Sequence, residues 1–447
     1  MLKRLKALDS DHARIAKGAM RVAFFLLIGK LAGALKEMAV ANRYGVSDVV
    51  DAYQFTMTMS NWLPVTLVGV LSVVLVPTLV KLRYAEPQEQ KQFLSQLQGG
   101  VLLVGAIIGI LTWALWPWVI QYLATEFNEH AKQASQELIL GFAPVAMMTV
   151  VIGVSMARLR ARERHINTLL ESMPAILILL CIFALPGNTS TLPLLLGTLI
   201  GTLLQAVILY YLSSRADQHY ALPAFSLSSP YWSLLLKAAG IMLIGQIASS
   251  FVAPLDQMAA AKLGSNANAT MGYATRLLSL IIGIGAASVG RAALPVLSDI
   301  EARGEVARAR TIALKWSLLM VLAGVVVVAL LWWLSPWMVH ILFERGAFSS
   351  KNTTIVSEVL RYGLLQLPFY FGVLILVQLM ASQNRYSLMA AIAVANFALK
   401  AVMNYYLAPT WGVQGIMLAT ALMYLLSFCC YFVAVSCLKP KKQTTPS

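Results

Sequence analysis

Charge is scarce in this sequence: 12% of its 447 residues are charged, whereas 59% are hydrophobic. A soluble chain needs roughly twice that share of charge to cover a surface facing water. A soluble globular fold is therefore excluded. Cysteine is rare too. Its four copies, Cys181, Cys429, Cys430 and Cys437, fall within or at the end of apolar runs and show no Cys-x-x-Cys spacing. That placement excludes a disulfide framework and a thiolate metal site. The five histidines are scattered, without H-E-x-x-H or other ligand spacing. No G-x-x-x-x-G-K-S/T phosphate loop is present, so the chain does not itself use ATP. We expect no metal, no cofactor and no enzymatic chemistry.

What the sequence has instead is apolar runs of about 20 residues along its whole length, each long enough to cross a hydrocarbon core of ~30 Å. The expected spans are 15–44, 49–81, 96–124, 132–157, 166–186, 192–214, 231–262, 267–298, 311–343, 353–381, 386–407 and 412–437. Turn residues punctuate them: Pro186-Gly187 before Asn188, Gly264-Ser265-Asn266, and Pro409. The formal net charge of +15 is carried in short segments between runs. There it orients helices and meets anionic lipid headgroups, so nucleic acid is not an expected partner. One set of loops carries Lys81, Arg83, Lys91, Arg158, Arg160, Arg162, Arg164, Arg215, Arg303, Arg308, Arg310, Arg385, Lys439, Lys441 and Lys442. The other set holds Arg43, Lys132, Lys262, Arg345 and Lys351. An asymmetry of roughly three to one predicts an even number of spans with both termini cytoplasmic. The basic flank of Lys3, Arg4, Lys6, Arg14 and Lys17 precedes a long apolar helix without a cleavage pattern, and reads as a retained first helix.

The first and seventh spans resemble each other. KEMAVANRYG at Lys36–Gly45 is followed by Asp51-Ala-Tyr53; DQMAAAKLG at Asp256–Gly264 is followed by Met271-Gly-Tyr273. Leu75-Val-Pro-Thr-Leu79 has its counterpart in Ala293-Leu-Pro-Val-Leu297. Matching positions lie about six spans apart. This predicts an all-α integral membrane protein of about 12 transmembrane helices in two six-helix lobes, 1–215 and 216–447, related by a parallel pseudo-two-fold repeat.

An ionisable group inside a span costs a few kcal/mol or more, so each demands a partner or a hydrated cavity. The first span carries Lys30, Lys36 and Glu37; the second carries Asp51, Gln54, Thr58 and Asn61 ahead of Pro64. The seventh holds Asp256, the eighth Tyr273, Arg276 and Ser279, the tenth Tyr362, Gln366 and Tyr370, and the eleventh Asn396, Lys400 and Asn404 at one-turn spacing. Structural ion pairs and interhelical hydrogen bonds are one reading of such residues. The other is a hydrated cavity with net positive charge that attracts an anionic diphosphate headgroup. On the second reading Lys30, Lys36, Glu37, Asp51, Asn61 and Arg276 are candidate substrate contacts. Asp256, Asn396 and Lys400 form a candidate coupling group, with Asp256 and Lys400 as a buried pair.

In GKLAGALKEMAVANRYGVSDVVDAY (Gly29–Tyr53), MGYATRL (Met271–Leu277) with ALPVLS (Ala293–Ser298), and LFERGAF (Leu342–Phe348), the chain resembles the MviN/MurJ lipid II flippases of the multidrug/oligosaccharidyl-lipid/polysaccharide exporter superfamily. The resemblance implies two six-helix lobes around a cationic cavity, and export of undecaprenyl-diphosphate-linked sugar precursors across the bacterial inner membrane by alternating access. It places Lys30 and Lys36 at cavity arginines, Asp51 at an acid opening the second helix, Arg276 at the arginine of a Y-A-D-R-L motif, and Asp256 at an acid that serves sodium in some members. The departures are specific. Pro64 and Val65 stand at an Arg-Arg pair, Thr275 replaces the motif's Asp, Lys400 replaces an acid, and the thirteenth and fourteenth helices are not expected. Lipid II and an exopolysaccharide or O-antigen unit are both admissible substrates. Envelope glycosyltransferases or a polymerase are candidate partners besides membrane lipids. The alternatives are a cation-coupled small-molecule exporter of the same superfamily and a non-transporting scaffold for envelope synthesis.

Overall fold

A computed structural model describes residues 25, 27–162, 164, 166–187, 189–220, 222–302, 305–383 and 385–437, without side chains for 234, 241, 244, 284–299, 301 and 302. The basic N-terminal flank, Asn188, Arg303 and Lys439 to Lys442 lie outside the described residues, as do the side chains of Ala293–Ser298. The described chain is almost entirely helical and contains no strand. A bilayer core offers no water to backbone N–H and C=O groups, and a helix satisfies them within one segment.

The helices are α1 (27–44), α2 (Asp48–Leu82), α3 (Pro87–Leu123), α4 (Glu129–Ala161), α5 (Asn167–Leu170), α6 (Met173–Ala184), α7 (Leu192–Asp217), α8 (Tyr231–Ser250), α9 (Val252–Ala261), α10 (Ala267–Ala302), α11 (Val306–Phe343), α12 (Ser350–Leu364), α13 (Leu367–Ser382) and α14 (Tyr386–Cys437). Among the described residues eight stretches are long and apolar enough to cross a membrane, or nine if Tyr231–Ala261, bent by 51° between Gly240 and Gly245, counts as one span. Their outer faces are hydrocarbon. On α11 Leu322, Val326, Leu330, Trp333 and Trp337 are exposed in one turn-by-turn stripe. In water such a stripe would aggregate; against lipid tails it is solvated.

α14 is a helical hairpin. A straight helix would hold Lys400 and Ile416 ~24 Å apart, yet Lys400 Nζ reaches the Ile416 carbonyl at 2.8 Å. The reversal takes place at Gly412, whose φ of 61° belongs to the left-handed region that favours glycine. Just past it, a Cβ on Gly415 would run into the Leu407 carbonyl. The two spans expected at 386–407 and 412–437 are the two helices on either side of this reversal.

The chain gathers into two compact units. The first comprises the described parts of Met1–Tyr44 with Thr56–Tyr122 and Glu129–Gln246; the second comprises Gly45–Phe55, Leu123–Asn128 and the described parts of Ile247–Ser447. In the first, Leu75, Phe93, Leu97, Val101 and Trp232 anchor one core, and Ile152, Leu159, Ala206 and Leu209 another. In the second, Ala309, Ala313, Leu376, Leu379 and Tyr431 pack together. Small residues let the backbones close: a Cβ on Gly324 would strike the backbone of Pro368.

Candidate functional site

In the second unit the one-turn spacing of Asn396, Lys400 and Asn404 places them on one face of the first arm of α14. Lys400 is fully buried. Its ammonium lies 2.8 Å from Asp256 Oδ1 on α9 and donates to the Ile416 carbonyl at 2.8 Å and Thr420 Oγ1 at 2.6 Å. An ammonium has three protons to give, and here three oxygens take them. Asn404 Nδ2 donates to the same Asp256 oxygen at 2.8 Å. The carboxamide oxygens of Asn396 and Asn404 are buried and accept no hydrogen bond among the described residues. Carboxylate, carbonyl and hydroxyl oxygens are the ligand atoms a hard cation takes. In this chain a tethered ammonium fills the cage. The cluster ties α9, which follows the α8–α9 break, to both arms of the α14 hairpin.

Asp51, also in the second unit, is fully buried in the first turn of α2. Its Oδ2 accepts from the Asn266 N–H, and its Oδ1 accepts from the Ala269 N–H at 2.6 Å. These are the N-cap and N3 donors of α10, the pair that a capping box within one helix would satisfy. A carboxylate there also favours the positive end of the helix dipole. The geometry thus gives both Asp51 oxygens to a helix terminus. Nearby, buried Tyr273 donates from its hydroxyl to the Gly45 carbonyl at 2.8 Å. Its ring packs on Phe343 and Phe348, with centroids 5.0 and 5.2 Å away. Residues from all three resembling stretches meet in this contact, and what they do there is hold helices together.

In the first unit Lys36 and Glu37 are both buried and pair at 2.6 Å. Each neutralises the other, so Lys36 does not present the bare cation expected of it. Lys30 is half-buried, six residues earlier on the same helix. Asn61 Oδ1 accepts from Thr149 Oγ1 at 3.2 Å, joining α2 to α4. Arg43 donates to the carbonyls of Ile182, Leu185 and Gly187, closing the end of α6. Arg276, in the second unit, is half-buried on α10, and its carbonyl accepts from Ser279 Oγ at 2.8 Å.

Sequence reasoning anticipated the Asp256–Lys400 pair but missed Thr420 and the Ile416 carbonyl that complete it. A threonine in an apolar run is a weak signal, and a carbonyl gives none. Among the described residues no group of three or more His, Cys, Asp or Glu side chains is arranged to hold a metal.

A family model described as "Lipid II flippase MurJ" matches residues 40–447. A protein of Synechocystis sp. named "Probable lipid II flippase MurJ" is 25% identical over 422 residues, 89% of this chain and 77% of the relative. A Rhizobium tropici protein of the same name is 30% identical over 192 residues, 42% of this chain and 35% of the relative. Among solved structures, a lipid II flippase MurJ in an inward closed conformation superposes with a TM-score of 0.80 at 21% identity, covering 93% of this chain and 87% of that one. An inward-facing multidrug resistance MATE transporter gives 0.70 at 13% identity, covering 94% and 97%. Both structural likenesses show the fold.

Proposed function

The chain belongs to the lipid II flippase MurJ family, and on that premise we propose that it carries undecaprenyl-diphosphate-linked sugar precursors across the bacterial inner membrane by alternating access. The observation that carries this reading is the family match over residues 40–447. The mechanism follows from the chemistry of the cargo. A diphosphate-sugar cannot enter hydrocarbon unaided, so the protein offers it cations and water while the polyprenyl tail stays in lipid. Half-buried Lys30 and Arg276 are the proposed headgroup contacts, with Asn61 supplying hydrogen bonds. Lys36 joins them when a phosphate draws it from Glu37, and Glu37 is then the group that releases the cargo. The moving bodies are two lobes of about six helices each, with both termini cytoplasmic. The Asp256–Lys400 pair, flanked by Asn396, is the switch between states. Because a lysine supplies its cation, sodium does not drive transport through this cage. Enzymes that build or consume the precursor, glycosyltransferases or a polymerase, are its functional partners.

The test is headgroup translocation in proteoliposomes, with lipid II in one arm and an undecaprenyl-diphosphate-linked exopolysaccharide or O-antigen unit in the other. Protein-dependent flipping in either arm, lost in Lys30→Ala and Arg276→Ala proteins that remain folded, supports both the function and the contacts. Absence of flipping in both arms by folded wild type overturns the function, and small-molecule export then becomes the reading to test.

A further inference from the structure

The first unit contains an apolar cavity of ≈570 Å³ between α2, α3, α8 and the segment 224–227. Leu71, Val101, Trp232, Leu235 and Leu243 are typical of its lining, and Ser226 brings the one hydroxyl. Its outer wall is built by polar bonds on the far side. The Ala224 N–H donates to the Ser95 carbonyl at 2.9 Å. Gln96 Oε1 accepts from the Ser229 N–H at 3.1 Å and from Trp232 Nε1 at 2.9 Å, while Gln96 Nε2 and Gln92 Nε2 donate to Ser228 Oγ at 2.8 and 3.0 Å. A Cβ on Gly99 would collide with the Ala224 backbone, so the segment lies directly on α3. These bonds hold Phe225 and Leu227, 73% and 62% exposed, along the lip of the cavity.

A cavity of this lining stays dry and takes hydrocarbon. At ~150 Å³ for a benzene-sized site, it has room for on the order of twenty carbon atoms. One end is cationic. Lys91 lies six residues before Leu97 on α3, ~9 Å along the axis. Arg158 lies eight residues past Val150, which lines the cavity from α4, ~12 Å along the axis; burial, together with Lys91 and Arg158, pushes the His219 imidazole below its ordinary range. Arg158 and Arg162 share a single carboxylate, Asp217, at 2.8 and 2.9 Å, and so leave a surplus of positive charge. One hydrocarbon slot with one cationic end fits a single-chain lipid phosphate; a diacyl phospholipid would leave its second chain outside.

We propose that this cavity is a loading site for the phosphate-proximal part of the isoprenoid chain of the lipid-linked precursor, with its phosphates toward Lys91 and the Arg158–Arg162 pair. The proposal rests on the flippase reading above and names where that cargo is held before translocation.

Gly240 makes the site testable, because it lines the cavity and a Cβ there meets nothing within 4 Å. Gly240→Phe directs a ring into the slot from a position whose Cβ has open space around it. The full chain is placed in nanodiscs of phosphatidylethanolamine and phosphatidylglycerol with a photoreactive undecaprenyl diphosphate, and the labelled peptides are mapped. The expected result is labelling on 97–104, 225–227 and 232–243, competed by unlabelled undecaprenyl diphosphate but not by added phosphatidylglycerol. Gly240→Phe lowers it about tenfold and Lys91→Ala about threefold at unchanged melting temperature. Labelling that ignores Gly240→Phe, or that phosphatidylglycerol displaces equally well, overturns the site. So does wild-type flipping without labelling here, which leaves the flippase reading intact. Labelling here without flipping of any precursor keeps the site and removes that reading.

Discussion

Lys400 and Asp256 meet at 2.8 Å, with the lysine fully buried and every ammonium proton accepted by an oxygen. Removing either partner strands the other. Lys400→Ala should lower stability by about 3–5 kcal/mol, whereas a Lys400→Met, Asp256→Leu double replacement should stay within about 1 kcal/mol of wild type. Thermal unfolding in detergent checks both. A double replacement as unstable as Lys400→Ala would show that the cost lies elsewhere. Wild-type transport should be unchanged when choline replaces sodium.

Asp51 supplies both cap acceptors of α10. Asp51→Ala buries two N–H groups without partners and should cost about 2–4 kcal/mol. Asp51→Asn keeps an acceptor and should recover part of that. Affinity for the headgroup, measured on protein that remains folded, should be unaffected by either change.

Tyr273→Phe removes the hydrogen bond to the Gly45 carbonyl and should cost about 1–2 kcal/mol. Gly45→Ala should cost more, at least about 2 kcal/mol. Gly45 has a φ of +59°, and its new Cβ would meet the Ala347 carbonyl. Melting temperatures that reverse this order would dismiss the close approach as the reason for glycine.

Glu344, just past α11, is bonded to His340 at 2.9 Å and to Thr353 Oγ1 at 2.6 Å, and these hydrogen bonds hold its carboxyl below the ordinary glutamate range. A carboxylate depressed in the folded state adds stability above its unfolded pKa and loses it as pH falls through the folded one. Glu344→Gln should therefore lower stability modestly at neutral pH, where that contribution is present, and flatten the acid side of the profile, with variant and wild type converging at low pH. Melting curves from neutral pH down to acid would show it, and an unaltered acid limb would refute it.

Most of the fold was legible because the bilayer imposes one rule on every segment. Apolar length predicts a span, Gly and Pro end it, and the expected spans 49–81, 192–214 and 311–343 fall inside α2, α7 and α11. The Asp256–Lys400 pair was legible for a related reason, since opposite charges in hydrocarbon must find each other. Residue type alone did not reveal the partners of Asp51 and Lys36. In sequence, a carboxylate at a helix start and a lysine in a span look the same whether they face cargo or backbone.

The sequence by itself determined that this is a many-span helical membrane protein with buried charge, since hydrophobic length and the cost of stranded ions are properties of the chain. Only the tertiary structure decided what each charge is for. The N–H groups of α10 claim Asp51, the neighbouring Glu37 claims Lys36, and a carbonyl beyond the Gly412 reversal completes the cage of Lys400. Backbone groups carry no residue identity, so a partner drawn from them appears only once the chain has folded.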